Sequence, residues 1–113
     1  MKKNEEKREY PRFNTHLPVR LQLKNQSSKF GYTSSKDISE GGIRLILNEF
    51  LRPKTEILLE TIILGRVIDP EAVVVWSQRM PYSDDYQIGL EFSRVDALER
   101  QKLKEYIDYK KEL

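Results

Sequence analysis

The sequence predicts a mainly β domain: a six-stranded antiparallel β-barrel with a C-terminal α-helix and a flexible N-terminal arm. Three observations predict it. Apolar and polar residues alternate in several short runs, which is the period of a half-buried strand. Clusters of turn-forming residues separate those runs at close spacing. Near the C-terminus the apolar spacing switches to that of a helix.

The chain has 113 residues, the length of one domain with a single core. Hydrophobic residues make up 38% and charged residues 34%, and the apolar ones are grouped in periodic runs. Lys and Arg total 20 against 18 Asp and Glu, a formal charge of +2. So balanced a charge does not by itself argue for binding a nucleic-acid polymer, which calls for a strongly basic face. There is no Cys and one His, His16. This excludes disulfides, thiolate catalysis and a Cys/His zinc site. The opening MKKNEEKREY has no apolar signal region, and runs such as Val73 to Trp76 are far too short to span a bilayer. A cytoplasmic protein with no membrane insertion is expected.

Residues 1–13 are polar and mixed in charge, and read as an arm that stays flexible until something orders it. The barrel and its helix occupy residues 14–113. Leu17, Val19, Leu21 and Leu23 alternate with polar neighbours and form the first strand. Asn25 to Lys29 is a polar turn. Phe30 to Ile38 is a Ser-rich second strand, broken by Ser39-Glu40-Gly41-Gly42. Ile43, Leu45 and Leu47 mark a third. Ile57 to Leu64 is a fourth, and Val67 to Met80, with its Val73-Val74-Val75-Trp76 run, a fifth. Pro81 to Asp85 is a turn, after which Tyr86, Ile88, Leu90 and Phe92 alternate as a sixth. Val95, Leu98, Leu103, Tyr106, Ile107 and Tyr109 fall on about half of a helical wheel. Ser93 with Asp96 reads as a capping box, with Asp96 and Glu99 as the alternative register. The helix is expected to close one side or end of the barrel.

Two features carry chemistry. Arg8 and Arg12 lie four residues apart in the arm, at most about 13–14 Å between Cα atoms when extended, so both can reach one small anionic ligand. The guanidinium fork suits phosphate and the guanine O6/N7 edge. The second feature is Asp37-Ile38-Ser39-Glu40-Gly41-Gly42. In an extended segment Asp37 and Ser39 share a face, with Ile38 turned to the core. A carboxylate accepts from guanine N–H groups, and a hydroxyl donates or accepts. Gly41 and Gly42 permit a tight turn with positive φ and a close backbone approach.

In order and gap, these two features resemble the signature of the PilZ domain family. The signature is Arg-x-x-x-Arg, then some twenty to thirty residues, then Asp/Asn-x-Ser-x-x-Gly. Here 24 residues separate Arg12 from Asp37, and Ser39 and Gly42 complete the second motif. The strand ending at Trp76, the Gln87 to Phe92 strand and the closing helix extend the resemblance over nearly the whole chain. It implies a receptor for the bacterial second messenger cyclic di-GMP. Arg8 and Arg12 would bind phosphate and guanine edges. Asp37 and Ser39 would hydrogen-bond a guanine or brace the arginines, and Gly41 and Gly42 would shape the turn beneath the base. The residue before the first Arg, here Lys7, would influence how many ligand molecules bind. Trp76 reads as barrel wall, with a base-stacking platform as its second reading.

Other residues have plainer readings. His16 is structural, Tyr10 is an exposed arm residue, and Asp84-Asp85 is a solvated turn. The sequence holds no catalytic constellation, so the chain reads as a binding module and not an enzyme, with no cofactor beyond its ligand. The signal would pass to an unidentified downstream protein, from a monomer or homodimer. The rival readings are a PilZ-like protein–protein adaptor that binds no nucleotide and, more distantly, a nucleic-acid-binding barrel. No strand has the exposed aromatic-basic alternation that the latter requires.

Overall fold

The computed structural model describes residues 13–26 and 30–112. Among these residues, eight strands and one helix follow in order. They are β1 (Phe13–Asn14), β2 (Pro18–Leu23), β3 (Phe30–Ile38), β4 (Gly42–Leu47), β5 (Glu56–Ile63), β6 (Arg66–Ile68), β7 (Glu71–Arg79), β8 (Tyr86–Arg94) and α1 (Ala97–Lys111). Six of them form a closed antiparallel ring in the order β3-β2-β5-β7-β8-β4, and a β4–β3 pairing completes the circle. They correspond to the six expected strands, with β7 as the main part of the fifth. β1 and β6 lie off the ring, on β3 and β5 respectively.

Alternation dictates what faces inward. Val19 and Leu21 on β2, Ile43 and Leu45 on β4, Ile57 and Leu59 on β5, and Ile88 and Leu90 on β8 fill the interior. Thr61 occupies an inward β5 position, and its hydroxyl donates to the Pro18 carbonyl at 2.7 Å. A buried hydroxyl is tolerated only when paired in this way.

The expected fifth strand is two strands. Pro70 has no N–H to give to a ladder, and the run breaks at Asp69-Pro70 into β6 and β7. Leu64 and Gly65 connect β5 to β6 with φ of 51° and 75°. Positive φ at both central residues is the geometry of the tight hairpin turn that matches strand twist.

The helix is capped in the alternative register. The Asp96 carboxylate accepts from Glu99 N–H at 2.9 Å, and the Glu99 carboxylate accepts from Asp96 N–H at 3.3 Å. Ser93 is still in β8, so it is strand rather than cap. Glu99 also accepts from the Asp69 N–H, which ties the first turn to the β6–β7 connection. Leu103, Tyr106 and Ile107 are the buried stripe, packed with α1 against β5. Leu98 and Tyr109 point to solvent instead, so the apolar face is narrower than the wheel implied. No helix among the described residues is long and apolar enough to cross a membrane.

Removing the Asp96 cap by Asp96→Ala should cost about 1 kcal/mol of stability. Ser93→Ala should stay within about 0.5 kcal/mol of the parent. Chemical denaturation of both variants reads the difference, and the reverse order would restore the Ser93 register.

Candidate functional site

The site is built where β3 turns into β4. Ser39 organises that turn. Its hydroxyl accepts from the N–H groups of Gly41 and Gly42, both at 3.2 Å. Its own N–H donates to the Gly42 carbonyl at 2.9 Å. Phe92 N–H donates to the Gly41 carbonyl at 2.9 Å, which fastens the turn to β8. Ser39 is buried, so its hydroxyl works within the turn.

The glycines are needed for space rather than for handedness. Gly65 is the positive-φ glycine among the described residues, so Gly41 and Gly42 do not supply the positive φ expected of them. A Cβ at Gly42 would collide with the Leu90 carbonyl oxygen on β8. The close approach is the part of the expectation that holds, and the partner is backbone, which cannot step aside.

Asp37 stands one strand position before the turn, opposite Arg44 on β4. The Arg44 guanidinium donates through Nη2 to Asp37 Oδ2. Asp37 is on the outer face of the barrel yet only 2% exposed. A carboxylate so removed from water requires a charged or hydrogen-bonding partner, and Arg44 is one. Arg44 was not singled out from sequence. Its place follows from the cross-strand register, not from any motif.

The same row continues around the barrel. Arg44 pairs with Gly89 on β8, and Gly89 with Trp76 on β7. The register of β7 against β8 shifts between Val74 and Trp76. That shift turns Trp76 to the outer face after the inward Val74. The Trp76 indole lies over Gly89, where an added Cβ would strike the ring. Trp76 is 37% exposed, so it is barrel wall that is partly open to solvent. A carboxylate, a guanidinium and an indole thus share one row across four adjacent strands of the outer surface.

The chain enters this row from its other end. β1 pairs with β3 so that Phe13 faces Ile38 and Asn14 faces Asp37. Phe13, the last residue of the expected arm, is therefore in the sheet. The next residues are stitched to β3. Thr15 N–H donates to Lys36 O at 3.1 Å, and Ser35 N–H to Leu17 O at 2.8 Å. The Ser35 hydroxyl accepts from Leu17 N–H at 2.9 Å and donates to Thr15 O at 3.0 Å. The Thr15 hydroxyl is hydrogen-bonded to Tyr106 of α1. His16 is exposed. Lys7, Arg8 and Arg12 lie outside the described residues.

A family model of the PilZ domain matches residues 6–109. Solved structures with the same architecture include the Bacillus subtilis inhibitor of motility, MotI/DgrA, at 27% identity and a TM-score of 0.78. The match covers 94% of this chain and 52% of that one. The complex of K. pneumonia MrkH with c-di-GMP aligns at 21% identity and a TM-score of 0.70, over 91% of this chain and 51% of that one. The PilZ domain of Escherichia coli YcgR, solved with c-di-GMP, aligns at 18% identity and a TM-score of 0.69, over 94% and 92%. The chain therefore spans about half the length of the MotI and MrkH chains. A comparison with curated proteins finds no match.

The two tight glycines should respond differently to a methyl group. Gly42→Ala forces backbone against backbone and should cost about 2 kcal/mol or more. Gly89→Ala meets a movable indole. It should leave the barrel folded and shift the emission of Trp76, the protein's single tryptophan. Thermal melts and fluorescence spectra check both, and equal destabilisation would contradict the assignment.

Proposed function

The chain belongs to the PilZ domain family, and we propose that it is a receptor for cyclic di-GMP that signals to a partner protein by a change of shape. The observation that carries the reading is the root of the arm. β1 seats Asn14 opposite Asp37, so the arm leaves the barrel beside the Asp-x-Ser-x-x-Gly motif. Arg12 precedes Phe13 by one residue and Arg8 by five. Covalent geometry keeps the Arg8 Cα within about 18 Å of Phe13. Both guanidinium groups are within reach of a ligand resting on the Asp37 side of the barrel.

The chemistry of the ligand suits that face. Cyclic di-GMP carries two phosphodiester charges and two guanines. Arg8 and Arg12 supply forked donors for phosphate and guanine edges. The Asp37 carboxylate supplies acceptors for guanine N–H groups, with Ser39 bracing the turn beneath. The exposed Trp76 indole supplies a surface for stacking a base. Structures with this fold, those of MrkH and the YcgR PilZ domain among them, were solved with c-di-GMP, which makes it the ligand to test.

Several charged hydrogen bonds at roughly 1.5–3 kcal/mol each stand against the entropy of ordering about a dozen arm residues at roughly 1–2 kcal/mol each. The balance is close, and a close balance is what a switch needs. The same balance makes the arm the element whose order changes with ligand. Motility, adhesion or exopolysaccharide production are the outputs such a receptor would serve, and the inhibitor of motility among its structural neighbours makes motility the first to examine.

Isothermal titration calorimetry with cyclic di-GMP, against GTP and cyclic GMP, tests this reading. We expect saturable binding of the dinucleotide alone. Arg8→Ala and Arg12→Ala should each weaken binding about tenfold or more without loss of fold, and Asp37→Ala should weaken it with some loss of stability. Affinity should fall only gently with salt, because two phosphates release few counterions. A steep salt dependence with polynucleotide would favour a nucleic-acid binder. No heat with the dinucleotide would favour the protein–protein adaptor.

A further inference from the structure

We propose that Arg44 is a positioning residue for ligand recognition, acting through Asp37. This rests on the receptor reading above. Asp37 is the acceptor in the second motif, and its usefulness depends on staying ionised and correctly aimed. The strand that carries it places it on the outer face but nearly out of water. A carboxylate in that setting needs donors to be tolerated and to keep its aim. Arg44 supplies one of them from directly across the β3–β4 ladder.

The contact has a particular form. Arg44 reaches Asp37 Oδ2 through Nη2. Its Nε is buried and has no hydrogen-bond partner among the described residues. The pair is therefore not the two-pronged fork that Arg makes when it saturates a carboxylate. A one-point contact holds the carboxylate by one oxygen, and a carboxylate has about four lone-pair sites to share among several donors. Guanine presents its N1–H and exocyclic N–H side by side, and an ionised carboxylate held at one oxygen is suited to accept from them.

Neighbouring residues fix Arg44 in turn. Ile43 and Leu45 on either side point into the core, so Arg44 must face outward. Its cross-strand neighbour on the other side is Gly89, which has no side chain to crowd the guanidinium. The Trp76 indole covers Gly89 on the far side. Arg44 thus sits between the acceptor and the aromatic surface, with its side chain only partly exposed. Its defined job is to hold Asp37.

The test is a double-mutant cycle read by calorimetry with cyclic di-GMP. Arg44→Met should weaken binding about tenfold or more relative to the parent. Arg44→Lys restores a single-point cation and should bind within about threefold of the parent, because one donor is all the contact uses. In an Asp37→Asn background, where the charge to be held is gone, adding Arg44→Met should change affinity by no more than about twofold. Melting temperatures establish that each variant is folded, and Arg44→Lys carries the test if Arg44→Met is not. Parent-like binding by Arg44→Met would overturn the proposal. So would a full Arg44→Met loss that persists in the Asp37→Asn background, or an Arg44→Lys variant as weak as Arg44→Met. Failure of the parent to bind would instead strike the receptor reading itself, and it is seen separately in the first titration.

Discussion

The Ser39–Gly42 turn is the constraint on which the rest of the site depends. It joins β3 to β4, and that pairing closes the six-stranded ring. The turn is held from within by the Ser39 hydroxyl and from outside by the Phe92 N–H. The approach of Gly42 to the Leu90 carbonyl brings β4 and β8 to a separation that admits no side chain. Once these backbones are fixed, the register places Asp37 against Arg44 and Arg44 against Gly89. Closing the barrel and assembling the outer row are one event.

The two faces of the barrel divide their tasks by alternation. Every second residue of β3, β4 and β8 near the turn enters the core, which gives the row a rigid base. The residues between them form a surface of a carboxylate, a guanidinium, a bare backbone and an indole. Rigid strands hold such a surface more accurately than loops do. The arm root belongs to the same construction. Ser35 and Thr15 bind the 15–17 segment to β3, and Tyr106 ties Thr15 to the C-terminal helix. The segment that follows β1 is thus tied to the helix as well as to the barrel.

Much of this was legible in the sequence, for identifiable reasons. Three of the ring strands, β2, β4 and β8, were visible because half-buried strands alternate with period two. The turn from Asp37 to Gly42 was visible as a unit because its residues are close in the chain. Arg44 was not visible as a site residue. Nothing in Gly-Ile-Arg-Leu distinguishes it from a solvated charge until the register sets it opposite Asp37. Trp76 was ambiguous because Val73-Val74-Val75-Trp76 shows no alternation, and the register shift beside Val75 decides which face the indole takes. The cap register stayed open between Ser93 and Asp96 because both spacings satisfy the local pattern, and only the extent of β8 through Ser93 decides it. The break at Asp69-Pro70 was missed although Pro70 stands in the run and cannot donate to a ladder. The roles of Arg8 and Arg12 rest on the motif and on the reach of the arm from Phe13.

The most direct measurement is a ¹H–¹⁵N NMR titration of the protein with cyclic di-GMP, including the Trp76 indole N–H. The account predicts shifts concentrated at Asp37 to Arg44, at Gly89 and at the Trp76 indole, together with changes in the resonances of the arm. Shifts confined to the β5–β6 hairpin or to the exposed face of α1, or no shifts at saturating dinucleotide, would contradict it.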